Sequence, residues 1–197
     1  MQILGGAKIQ KIMIAALVAV IFLIPLGSFA EEQSQMQLSE QKIEAGLIYN
    51  FLKNTEWPPG KMGPPSSPLV VCILGTDDPF NGYLQPIESR TVNQRTIKLR
   101  HISNTEETGG CHMLFIGSDE QAQWPALHTF LAQKSVLTVG DFDGFSSSGG
   151  MIEFGTENDH IQIWLNVEAV SLSHLHIFDS LRRLAKTTHP SSQGGAE

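Results

Sequence analysis

The sequence predicts an α/β fold: a single layered domain with a mixed, mostly parallel sheet flanked by helices, a late β-hairpin and a C-terminal helical region. Three observations carry this. Leu69–Leu74, Cys111–Ile116 and Val136–Val139 are short continuous apolar runs, the pattern of strands buried on both faces. Segments of helical spacing alternate with them. Near the end, Glu157-Asn158-Asp159 makes a turn into an alternating run, His160–Leu165, which gives the hairpin.

In chain order, Glu31–Leu38 reads as a polar lead-in and Ser39 as the cap of a first helix. Ile43, Leu47 and Phe51, with Ile48 and Leu52 beside them, form its apolar stripe. Pro58 forces Trp57 into extended geometry, so this helix ends near Thr55. Pro59–Pro68 is a loop by its Pro/Gly/Ser content, and the Leu69 strand follows. Asp78-Pro79 carries the cap-then-proline signature of a short helix through Tyr83 and Leu84. Thr96–Ile102 alternates as a half-buried strand. After the Cys111 strand, Ser118 opens a helix to about Leu131, which Pro125 kinks or delays. Asn166 caps the C-terminal helical region, where Val170, Leu175, Phe178, Leu181, Leu184 and Ala185 face the core. His189–Glu197 reads as frayed.

Between the strands at Val136 and Met151 lies a loop rich in Gly and Ser, Gly140–Gly150. A phosphate-binding cradle opens a helix, whereas this loop leads into a strand, so it reads as a structural crossover.

At the N-terminus, Lys8 and Lys11 precede an apolar core, Ile12–Leu26, and Ser28-Phe29-Ala30 places small residues where a signal peptidase reads. Residues 1–30 are therefore expected to be a signal peptide cleaved after Ala30, leaving 31–197 as the mature domain. The whole chain carries 13 Lys+Arg against 20 Asp+Glu, and both basic residues of the leader leave with it. That acidity argues against nucleic acid and anionic lipid as partners.

Cys72 and Cys111 are the only cysteines. In an oxidising compartment an even pair reads first as a disulfide. Closing a loop of roughly 40 residues would stabilise the fold by about 4 kcal/mol in the chain-entropy picture. Two buried free thiols are the rival reading.

No catalytic set emerges, and neither a metal nor a cofactor is expected. Cys111 and His112 are adjacent and so face opposite ways on a strand, a poor nucleophile–base pair. Asp77-Asp78 and Asp141/Asp143 sit in turn contexts where Asp is at home. His174 and His176 lie in helical sequence with no third ligand near.

Several segments in order resemble the YfiR-like family. They are Phe51-Leu52-Lys53 with Thr55-Glu56-Trp57-Pro58, CILGTDDPF (72–80), CHMLFIGS (111–118), VLTVGD (136–141), GGMIEF (149–154), Ile163-Trp164-Leu165-Asn166 and LRRLAK (181–186). The resemblance implies a periplasmic regulator without catalytic activity, one that binds the periplasmic region of an inner-membrane diguanylate cyclase and holds it inactive. Release of such a repressor raises cyclic di-GMP and promotes biofilm, and an outer-membrane-associated protein can sequester it. Cys72 and Cys111 fall at the family's cysteine positions, where redox state affects stability. Better-studied members carry a second cysteine pair near the Gly-rich loop, and this chain has none between Phe142 and Phe154. Trp57, Phe142, Phe145, Arg182 and Arg183 are the candidate partner contacts, against a core role for the aromatics and a solvated helix face for the arginines, and a homodimer is among the expected assemblies. Two alternatives stand beside this reading. One is a solute-binding sensor using the crevice beside the Gly/Ser loop. The other is an exported hydrolase employing Asp141, Asp143 and His112.

Overall fold

Glycine and proline punctuate this chain into short elements. The structure is a computed structural model that describes residues 27–188 apart from 76 and 159, with side chains from residue 35 onward except residue 39. Residues 1–26 of the predicted signal peptide, and the predicted frayed tail from residue 189, lie outside the described residues. The chain forms two compact units, Met1–Ser39 and Glu40–Glu197, and the second holds the layered α/β domain.

The elements run α1 (Gly27–Lys53), β1 (Thr55–Glu56), α2 (Pro59–Met62), β2 (Leu69–Leu74), β3 (Thr91–Val92), β4 (Arg95–Ile102), β5 (Met113–Ile116), α3 (Trp124–Leu131) and β6 (Leu137–Gly140). They continue with β7 (Ile152–Glu157), β8 (His160–Asn166), α4 (Val167–Leu172), β9 (His176–Ile177), α5 (Asp179–Arg182) and β10 (Lys186–Thr188). Eight strands form one sheet in the order β10-β8-β7-β6-β5-β2-β4-β3, and β1 pairs with β9 in a separate ribbon. Within the large sheet only β3–β4 and β7–β8 are antiparallel. The predicted mixed, mostly parallel sheet and late hairpin are both present.

The period-2 alternation of β2 divides the core. Val71 and Ile73 join Ile48, Phe51 and Leu52 of α1 on one face, together with Val170, Ile177 and Leu181 from the C-terminal region. Cys72 and Leu74 face the other way, toward Trp124, Leu127 and Leu131 of α3. Beyond the two-residue β3, the free side of β4 is shielded by the Glu88 carboxylate, which accepts from Leu99 N–H at 2.9 Å. Occupying that donor blunts the edge against pairing with another chain.

Several expectations are corrected. Glu31–Leu38 is helical, part of α1 rather than a lead-in, because Glu, Gln, Met and Leu are good helix formers and no Gly or Pro interrupts them. Pro59 opens the short α2 inside the predicted loop. The predicted Asp78 helix is a series of turns ending in a 3-10 segment, Gln85–Ser89. Asp78 does cap, accepting from Phe80 and Gly82 N–H, but Asn81 and Gly82 both adopt positive φ and end the helical path. The β3–β4 hairpin was not legible beforehand: its loop, Asn93-Gln94, places both residues at positive φ, the type I′ geometry that suits twisted strands. Pro125 does delay α3, which follows a 3-10 segment, Ser118–Gln123. In the C-terminal region two short helices alternate with β9 and β10, and Phe178 and Leu184 are exposed rather than in the core.

The Asp141–Met151 connection joins parallel β6 to β7 without a helix, as a crossover. It is filled by its own aromatic. Phe145 is fully buried against Trp124, with ring centroids 4.3 Å apart. Gly140 and Gly150 flank it so closely that a Cβ at either position would overlap the ring. Glu153 of β7, also buried, accepts from Ser146 N–H (2.8 Å), Ser146 Oγ–H (2.6 Å) and Gly144 N–H (3.3 Å). The Ser146 carbonyl accepts from Asn166 Nδ2 at 2.7 Å.

Gly140→Ala and Gly150→Ala are each expected to destabilise the domain by about 1–3 kcal/mol or more through overpacking. Adding Phe145→Leu should recover part of that loss, and urea unfolding of the single and double variants measures it.

Candidate interaction site

Trp57, a predicted partner contact, is 6% exposed. It closes the exit of α1 onto the sheet, donating its indole N–H to the His112 carbonyl at 2.9 Å. The His112 ring lies edge-on to it, 6.1 Å between centroids, and its Nδ1 accepts from Val70 N–H at 3.0 Å. Arg95 pins the neighbouring loop by donating to the carbonyls of Met62, Gly63, Pro64 and Ser67. Burial, and then the charges of Lys61 and Arg95, push the His112 pKa down to about 4. Phe145, the second aromatic candidate, is the plug of the crossover loop. Both side chains are buried, each filling a space that the core would otherwise leave empty. Phe142 is half-buried against Phe145.

Cys72 and Cys111 form a disulfide, with 5.8 Å between their Cα atoms. Cys72 on β2 is paired in register with Arg100 on β4, and this brings a guanidinium over the bridge. Arg100 Nη2 approaches Cys111 Sγ at 3.1 Å and Cys72 Sγ at 3.4 Å, and donates to the carbonyls of Glu107 and Gly109. No sequence pattern announced this contact; only pairing across the sheet produces it.

The predicted carboxylate pair Asp141/Asp143 is not brought together with His112. Asp143 is exposed, whereas Asp141 faces Glu44 and Glu40 of α1. Burial, then Asp141, then Glu40 raise the Glu44 pKa to about 8, and burial, then Glu40, raise that of Asp141. Among the described residues no three His, Cys, Asp or Glu side chains form a metal-binding group.

Arg182 and Arg183 are exposed and enter no ion pair among the described residues. They belong to a surface built by short elements. Asn166 Oδ1 accepts from Ala169 N–H at 2.9 Å and starts α4 as predicted. His174, at φ 59°, ends it, and β9 then pairs with β1. Phe178 N–H donates to the Asn54 carbonyl at 3.0 Å, and Leu181 anchors α5 in the core. Exposed beside the arginines are Phe178 and Leu184, the latter 63% exposed. A groove of about 200 Å³ runs between Val170, Leu175, Ile177 and Arg182. Phe142 belongs to the opposite face of the sheet, so the five candidates do not form one surface.

His112 is neutral in the native state while its unfolded pKa is near 6.5, so the stability it supports is complete above pH 6.5 and lost as pH falls through about 4. His112→Gln should flatten that limb of a plot of unfolding free energy against pH. Glu44 has the opposite slope: its contribution is complete below 4.5 and fades as pH rises through about 8. Reducing the disulfide would give a thiolate beside Arg100, a charge-assisted contact absent from the oxidised state. Arg100→Met should therefore favour the disulfide about tenfold in a glutathione buffer, roughly 30 mV for a two-electron couple. Arg100→Lys should retain most of the wild-type equilibrium.

A search of curated proteins returns no match for this chain. The profile of the YfiR/HmsC-like family matches residues 41–186, from within α1 to the first residue of β10, and takes in both cysteines and the crossover loop. That span is most of the 197 residues, and the chain belongs to the YfiR/HmsC-like family.

Proposed function

We propose that this protein is an exported, non-catalytic regulator that binds the periplasmic part of an inner-membrane diguanylate cyclase and holds it inactive, lowering cyclic di-GMP and biofilm formation. The observation that carries this reading is the family match across 41–186. Export through the signal peptide 1–30, with the mature chain beginning at Glu31, belongs to the same reading. So does an outer-membrane-associated protein that sequesters the repressor. No described helix is long and apolar enough to cross a membrane.

Repression requires differential affinity, since a ligand shifts a two-state enzyme only by favouring one state. The surface around α5 suits that task. Exposed Phe178 and Leu184 supply apolar contact area, and Arg182 and Arg183, in no ion pair among the described residues, supply charge at the rim, where charges steer association.

Deleting the gene should raise cellular cyclic di-GMP; an unchanged level with a cognate cyclase present would overturn the reading. Arg182→Glu with Arg183→Glu should weaken binding of the mature chain to the cyclase's periplasmic segment about tenfold, near 1.4 kcal/mol, with an unchanged Tm. Calorimetric titration measures the affinity, and the mass of the periplasmic product checks the start at Glu31.

A further inference from the structure

The geometry points to a small-molecule site in the cleft between α3 and α4, built for an amphiphilic cation: a compact hydrocarbon body carrying one ammonium group. The cleft holds about 390 Å³, within the usual size of ligand pockets. Val136 and Met151, at the entries to β6 and β7, form its floor; Trp124 and Leu131 of α3 face Ala169 and Leu172 of α4 across it.

The buried polar side chains that line the cleft are already engaged. Thr138 Oγ1 accepts from Met151 N–H at 3.1 Å, and Trp124 Nε1 donates to Ser148 Oγ at 3.0 Å. The Asn166 side chain spans the Ser146 carbonyl and Ala169 N–H, and Ser173 Oγ donates to the Val170 carbonyl at 2.8 Å. Water resting there would find few partners, so an apolar body gains by replacing it. The walls are set in advance, which spares a ligand the cost of ordering them. Trp124 is wedged between Phe145 and His128. Gly149, at φ 100°, leaves room for the His128 ring where any Cβ would overlap it.

The rim is different in kind. Glu168 is the only Asp, Glu, Lys or Arg lining the cleft among the described residues. It is exposed, and among the described residues it makes no ion pair. A cationic head meets complementary charge there, on a chain already acidic overall; an anionic head meets repulsion with no Lys or Arg to offset it. This site goes beyond the repression reading and stands without it, because its occupancy is measured on the purified chain alone.

Three probes sharing one body test it by calorimetric titration of the mature chain: 2-(1-naphthyl)ethylammonium, 1-naphthaleneethanol and 1-naphthaleneacetate. The ammonium should bind at least tenfold more tightly than the acetate, with the alcohol between them. Glu168→Gln should bring ammonium and alcohol within threefold of each other. Ala169→Phe should fill the cleft and abolish binding of all three. Should that variant fail to fold, Leu172→Ser, at a position 65% exposed, should weaken every probe severalfold with an unchanged Tm. The proposal is overturned if no probe binds at millimolar concentration, if the three bind alike, or if the preference survives Glu168→Gln. It is equally overturned if probe binding is lost as the chain self-associates, which would give the cleft to a second copy.

Discussion

A buried hydrogen-bond chain from the Glu153 carboxylate through Ser146 to Asn166 ties the crossover loop, the hairpin and the C-terminal region into one frame. A carboxylate taken out of water must be answered by donors, and the loop supplies them from Ser146 and Gly144. Ser146 then offers its carbonyl to Asn166, whose other side-chain atom caps α4. Its hydroxyl also lies 3.2 Å from Thr188 Oγ1 on β10. Parallel strands are normally joined by a helix that covers the sheet. Here a loop does it, with Phe145 standing in for the apolar face of the missing helix.

The loop is closed by this hydrogen-bonded carboxylate, with no cysteine between Phe142 and Phe154. The covalent tie, Cys72–Cys111, sits on the α3 face of the sheet with Arg100 against both sulfurs. Arg100 Nη2 also donates to the Glu107 and Gly109 carbonyls, whereas its Nε is buried without a hydrogen-bond partner among the described residues.

Helical period makes α4 a partition. Val167 and Val170 turn toward the groove that includes Arg182, whereas Glu168, Ala169 and Leu172 line the cleft shared with α3. Its position is held at one end by the Asn166 cap and through the middle by Val170 in the core. The cleft and the groove thus share one short wall, and both trace back to the Glu153–Ser146–Asn166 chain.

Much of the fold was legible in the sequence. Leu69–Leu74 announces itself by six apolar residues ended by glycine, and Asn166 by its place before a helical stretch. Pro125 marks the late start of α3. Asn93-Gln94 carries no turn signal in the sequence because neither residue is glycine, and β10 none because Lys-Thr-Thr is not apolar. Arg182 and Arg183 of LRRLAK are exposed, as charged residues on a short surface helix are expected to be. For Trp57 and Phe145 the sequence leaves contact and core roles open, because an aromatic beside Pro or Gly looks the same whether it plugs a core or faces solvent. What the sequence alone determined was the set of strands, caps and turns, since these depend on periodicity and on the conformations open to each residue. Tertiary structure decided which side chains meet: Phe145 between two glycines, Arg100 over the disulfide, and Glu168 beside Trp124 and Leu131 at one cleft. Those contacts join residues distant in the chain, and only the register of the sheet and the packing on its two faces bring them together.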